Sequence, residues 1–162
     1  MSNINNQPLI IAHRGASAFA PENTLAAFRK AIEDGAEGIE FDVRLAKDGV
    51  PVVFHDAKLR RIGQKKGRVS SFTSQELQNL DVGSWFNLKN PKKANHKFSA
   101  EFVPTLAQLL EFLDGYKGLI YIELKCKEAE TSVLVEVVCK TIRNSSSLPF
   151  IIVKSFNLEA VC

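Results

Sequence analysis

Residues 38–44, Gly-Ile-Glu-Phe-Asp-Val-Arg, alternate apolar and charged side chains. A period of two is that of a β-strand, with Ile39, Phe41 and Val43 on one face and Glu40, Asp42 and Arg44 on the other. A strand carrying two carboxylates on one side needs something to do with them. Two anions that close repel unless a proton or a cation lies between them. A fold that buries this strand must therefore bring positive charge to it.

Other apolar runs also end on reactive groups. Leu9-Ile10-Ile11-Ala12 stops at His13, and Val50-Pro51-Val52-Val53-Phe54 stops at His55. Leu119–Lys125 reads as a fourth strand, with Glu123 and Lys125 on the face opposite Ile120, Ile122 and Leu124. Phe150–Val153 reads as a fifth. Between them lie amphipathic stretches. Leu25, Phe28 and Ile32 share a helical face, with Pro21 suiting the first turn and Gly35 the end. Thr105 to Gln108 forms a capping box before Leu106, Leu109, Leu110 and Leu113. Leu134, Val137, Val138 and Ile142 mark a further helix. Asn157 suits a helix cap just before the last residues.

Strands alternating with helices imply a mostly parallel sheet, and chemistry in such folds gathers at the carboxyl ends of the strands. His13, Asp42, His55 and Lys125 are expected there. Residues 57–103 interrupt the alternation. They hold ten lysines and arginines against three acids, and one short helix is marked by the capping box from Thr73 to Glu76. That basic segment reads either as a solvated loop or as a rim attracting anionic substrates. No nucleic-acid-binding motif accompanies it. Trp85 and Phe86 are expected to anchor it to the rest of the chain.

With 162 residues and 45% apolar content, the chain can form one domain with a real core. No apolar run is long enough to span a bilayer, so stable membrane insertion is not expected. Met1–Pro8 is polar and shows no secretory signal pattern. Cys126, Cys139 and Cys162 lack metal-ligand spacing and read as free thiols of a reducing compartment, which makes the cytoplasm the expected location.

The charged strand ends admit two readings. Glu40, Asp42 and Glu123 offer oxygen ligands that suit a hard divalent cation, with Lys125 free to hold an anionic oxygen. Alternatively, Glu40, Asp42, Arg44, Glu123 and Lys125 form an internal salt-bridge network. His13 and His55 are candidates for general acid and base, because imidazole titrates near neutrality. Arg14 can clamp a phosphate or pair with Glu40 or Glu123.

The ordered set His13-Arg14-Gly15, Pro21-Glu22-Asn23-Thr24, Glu40-Phe41-Asp42-Val43, His55-Asp56, Gly83-Ser84-Trp85-Phe86, Pro104-Thr105-Leu106, Glu123-Leu124-Lys125 and Ser155-Phe156 resembles the glycerophosphodiester phosphodiesterases over nearly the whole chain. The resemblance implies an α/β fold of the (β/α)₈ TIM-barrel type, a single domain over 1–162, with 57–103 as a small inserted subdomain. It implies a magnesium or calcium ion held by Glu40, Asp42 and Glu123. His13 and His55 would be the acid–base pair, and Arg14 and Lys125 would contact substrate phosphate. The implied reaction is hydrolysis of a small-molecule glycerophosphodiester to glycerol 3-phosphate and an alcohol.

Two departures stand out. Leu59-Arg60-Arg61-Ile62-Gly63 replaces the threonine-rich turn usual after His55-Asp56, which bears on substrate preference. A (β/α)₈ barrel needs typically about 250 residues, and this sequence supplies five strands. An apparent truncation after the fifth strand leaves open edges, so a second copy or a C-terminal fragment is an expected partner. A truncated or non-catalytic relative acting as a binding domain is the alternative reading, and a phospholipid-cleaving activity is a third.

Overall fold

The structure, a computed structural model, describes residues 8–145 and 148–161. The expectations for the N-terminal leader before Pro8 and for Cys162 lie outside these residues. Five strands form one sheet: β1 (Ile11–His13), β2 (Gly38–Leu45), β3 (Pro51–Val53), β4 (Leu119–Leu124) and β5 (Ile151–Ser155). Its principal order is β1-β2-β4-β5, all parallel, with β3 also paired to β2.

The pairing of β3 differs from the expectation that His55 closes a parallel strand. β3 runs antiparallel to β2, with Val43 opposite Val53 and Leu45 opposite Pro51. A tight hairpin turns the chain: Gly49 takes φ +77 and Ala46 N–H donates to Val50 O at 3.0 Å. Since β4 occupies the other edge of β2 along Gly38–Val43, β1 and β3 share one edge. They approach each other along it from opposite directions.

Among the described residues, five α-helices accompany the strands: α1 (Leu25–Glu33), α2 (Ser74–Gln78), α3 (Ser84–Lys89), α4 (Leu106–Phe112) and α5 (Thr131–Arg143). α1 begins only at Leu25, so Pro21 lies ahead of the helix and not in its first turn; Thr24 caps it, its hydroxyl accepting from Ala27 N–H. Both capping boxes are formed, by Thr73 with Glu76 on α2 and by Thr105 with Gln108 on α4. Asn157 caps only a short 3₁₀ turn, Leu158–Ala160.

The main core is the outer face of the sheet. Ile39, Phe41, Val43, Ile120 and Ile122 are fully buried against Phe28 of α1, Leu106 and Leu109 of α4, and Leu134 and Val138 of α5. Burying such apolar area is the dominant favourable contribution to the fold, at about 25 cal/mol per Å². Residues 57–103 pack around a second cluster, where Leu59, Ile62, Val69, Leu77 and Val82 meet Val52 and Phe54 of the β3 segment. Trp85 joins its margin, and Phe86 is buried with its ring edge-on to Phe98. Among the described residues, no helix is long and apolar enough to cross a membrane.

Candidate active site

The opposite face of the sheet carries the charge, and the register explains why. His13 lies opposite Glu40, and Glu40 opposite Tyr121. Two residues on, Asp42, Glu123 and Lys154 form one row across β2, β4 and β5. Side chains in one row share a face. Glu40, Asp42 and Glu123 are all buried, and one oxygen from each lies within 4.8 Å of the others.

The loop after β1 brings the first cation. Arg14 adopts φ +59 and Gly15 φ +76, both left-handed. For an arginine this conformation costs on the order of 1–3 kcal/mol, and it persists only where the surroundings over-determine it. Here Arg14 N–H donates to Glu40 O at 2.8 Å, and Asn23 N–H donates to Arg14 O at 3.0 Å. A Cβ added to Gly15 would fall 2.7 Å from the Ala27 backbone, so glycine lets the loop press against α1. The Arg14 side chain then reaches Glu22 Oε1 at 2.9 Å and Asp42 Oδ2 at 3.2 Å. Asn23, also left-handed, donates from Nδ2 to Asp42 Oδ2 at 3.0 Å.

Two lysines complete the cluster. Lys125 pairs with Glu123 and lies 3.4 Å from Asp42 Oδ1. Lys154 lies 3.0 Å from Glu40 Oε1 and 3.3 Å from Glu123 Oε2. Burial alone would push the Glu123 carboxyl up; the bonds and charges of Lys125 and Lys154 outweigh it and hold Glu123 below the usual range. Burial likewise opposes the Lys154 ammonium, but Glu40 and Glu123 raise it overall. The fifth member of the expected salt-bridge network, Arg44, turns elsewhere: it donates to His55 O at 2.7 Å and to Lys125 O at 3.1 Å.

The histidines flank this cluster. His13 is mostly exposed, with Nε2 3.8 Å from Glu40 Oε2. The chain leading to His55 runs past Asp42, whose carbonyl accepts from Phe54 N–H at 2.9 Å. His55 Nδ1 lies 2.7 Å from Asp56 Oδ1. Arg61 ties the two sides together, at 2.6 Å from Asp56 Oδ2 and 2.7 Å from Glu22 Oε1. Burial raises the Asp56 and Glu22 carboxyls, but hydrogen bonds from Arg61, with His55 for Asp56 and Arg14 for Glu22, bring both below the usual range.

All seven sequence-predicted residues thus lie on or beside one patch. Five further side chains belong to it: Glu22, Asn23, Asp56, Arg61 and Lys154. The first three stood within recognised motifs but had no assigned partner. Lys154 has a signal, a lysine directly after the apolar run Ile151-Ile152-Val153, whose meaning depends on register.

The donor set fits a hard divalent cation. All candidate ligands are carboxylate oxygens, as such ions prefer. Glu40 Oε1 and Asp42 Oδ1 are buried and, although lysine ammonium groups lie close, neither accepts an aligned hydrogen bond.

Comparison with known proteins bears on the family and the fold. Residues 13–161 match the model of the Glycerophosphoryl diester phosphodiesterase family. A glycerophosphodiester phosphodiesterase of Caldanaerobacter subterraneus is 40% identical over 149 residues, covering 92% of this chain and 58% of that protein. A Bacillus subtilis enzyme of the same name is 34% identical, over 94% of this chain and 54% of its own length. Among solved structures, a phosphodiesterase of Oleispira antarctica in complex with the product sn-glycerol-3-phosphate is 33% identical with a TM-score of 0.84, over 94% of this chain and 59% of that one. A glycerophosphodiester phosphodiesterase from Agrobacterium tumefaciens is 36% identical with a TM-score of 0.79. The chain therefore spans between half and three-fifths of these curated relatives, and its α/β sheet is the corresponding part of their TIM-barrel fold. With its matched residues running from His13 almost to the C-terminus, the chain belongs to the glycerophosphoryl diester phosphodiesterase family.

Proposed function

We propose that this chain carries the catalytic face of a metal-dependent phosphodiesterase that hydrolyses glycerophosphodiesters to glycerol 3-phosphate and an alcohol. The observation that carries this reading is the convergence of Glu40, Asp42 and Glu123 beneath two histidines that reach the same edge of β2. Magnesium or calcium suits the three carboxylates, and when bound supplies positive charge against a phosphodiester oxygen.

The chain's own groups divide the remaining work. Arg14 and Lys125 present fixed cations beside the carboxylates, where they neutralise the substrate's charge and stabilise what develops in the transition state. Ionised Asp56 can only accept, so the Nδ1 of neutral His55 carries the proton facing it. That leaves Nε2 with a lone pair available to a proton of the reacting alcohol or water. His13, exposed and reaching the same edge from the other direction, serves as the second proton-transfer group. One imidazole deprotonates the attacking oxygen and the other protonates the departing alkoxide. Residues 57–103 form the inserted subdomain of a single domain, and their basic surface attracts the anionic substrate. The free thiols of Cys126 and Cys139 suit a reducing, cytoplasmic setting.

The test is release of glycerol 3-phosphate from glycerophosphocholine by the purified chain, with and without chelator, beside His13→Ala. Chelator-sensitive release, lost in His13→Ala while metal binding persists, is the expected result. A folded, metal-binding chain without turnover overturns the catalytic reading and favours a binding role.

A further inference from the structure

Lys154 occupies an unusual place for a cation. It stands in one row with Asp42 and Glu123, and its ammonium lies 3.0 Å from Glu40 and 3.3 Å from Glu123. The oxygens it contacts are those left by the other partners. Glu40 Oε2 faces Arg14 N–H and His13, and Glu123 Oε1 faces Lys125. Lys154 therefore covers the two remaining oxygens, Glu40 Oε1 and Glu123 Oε2, from the solvent side. Its side chain is 44% exposed, whereas those of Glu40 and Glu123 are 5% and 6% exposed. A lysine stem is long and flexible, so the head can leave for water without burying anything.

We propose that Lys154 is a built-in counter-ion that competes with the divalent cation for Glu40 and Glu123, so that metal loading requires its ammonium to be displaced. This rests on the metal reading given above. A monovalent ammonium and a divalent ion cannot share the same pair of carboxylates without mutual repulsion at close range. The competition keeps the buried carboxylates compensated while no metal is bound, and it lowers the affinity of the loaded state. Arg14 and Lys125 are less free to leave: their side chains are 17% and 18% exposed, and Arg14 is also tied to Glu22.

Two measurements test it. Calorimetric titration of Mg²⁺ and Ca²⁺ compares wild type with Lys154→Met and Lys154→Arg. The Met variant is expected to bind about ten-fold more tightly or better, and the Arg variant close to wild type. In wild type alone, lysine labelling by an acylating reagent read by mass spectrometry should show Lys154 becoming more reactive as Ca²⁺ is added. Equal or weaker binding by Lys154→Met, or labelling of Lys154 that does not rise with Ca²⁺, overturns the competition while leaving the metal site standing. Absence of binding in wild type and both variants overturns the metal reading itself and this proposal with it.

Discussion

His55 and Asp56, adjacent in the chain, also face each other through their side chains, with Nδ1 2.7 Å from Oδ1. The backbone carbonyl of His55 is separately held by Arg44. The residue is thus held at its backbone and at Nδ1, and its tautomer is set by a carboxylate that is itself pinned by Arg61. Asp56→Asn keeps the shape but removes the obligate acceptor. Turnover of glycerophosphocholine should fall on the order of 10²-fold or more, with KM little changed and the circular dichroism spectrum intact. Wild-type kcat in that variant would remove Asp56 from the mechanism.

Arg61 makes its contacts through the fork of the guanidinium, to Glu22 on one side and Asp56 on the other. Lysine cannot reproduce two forked pairs at once. Arg61→Lys and Arg61→Met should both lower turnover, the lysine variant less so. Because the side chain is one-third exposed, the stability cost after solvent screening is about 1 kcal/mol or less in urea unfolding. A full-strength catalytic loss with no stability change would mark positioning rather than folding as its role.

The same network sets an acid limit. Glu22 and Asp56 have folded-state values below their ordinary 4.5 and 3.8. A depressed carboxylate contributes its full stabilisation above the unfolded value and loses it as pH falls through the folded one. Melting temperature should therefore hold steady from neutrality to about pH 5 and decline below about pH 4.5. Arg61→Met, which removes the partner that both acids share, should show a shallower decline over the same window.

Glu123→Gln replaces one ligand oxygen by an amide while keeping its volume. Affinity for Mg²⁺ and Ca²⁺ should weaken by about ten-fold or more in calorimetric titration, since hard cations select for carboxylate charge and number. His13→Ala, which removes no candidate ligand, should titrate like wild type.

Gly15→Ala places a Cβ 2.7 Å from the Ala27 backbone at a left-handed φ. Neither α1 nor the loop can yield without moving Arg14. The variant should lose more than about 1 kcal/mol in urea unfolding and also lose turnover, because the strained loop carries Arg14 and follows directly on His13.

Much of this arrangement was legible in the residues themselves. Period two in Gly38–Leu45 and Leu119–Leu124 places Glu40, Asp42 and Glu123 on one face, and the capping boxes at Thr73 and Thr105 start the helices they mark. Local pattern says less about which way a strand runs. Asp48-Gly49 carries the chemistry of a tight hairpin, yet the short span from Pro51 to Val53 reads equally well as a parallel strand until its ladder is known. The partner of Lys154 is hidden for a related reason. Its meeting with Glu123 depends on the register of two strands separated by all of α5. α3 was invisible to periodicity because it is six residues long, begun by the Asp81 carboxylate accepting from Gly83 and Ser84 N–H.

Both histidine-bearing segments are laid along one edge of β2, one from each direction. Their spacing is therefore counted off on that strand like marks on a ruler, at about 3.3 Å per residue. The count is complete before residue 57. Changes confined to the exposed surface of residues 57–103, away from Arg61 and from the side chains that pack on Val52 and Phe54, should leave the gap between the two imidazoles untouched. The fold thus keeps an outward surface open to exchange apart from two imidazoles held to a fixed gauge.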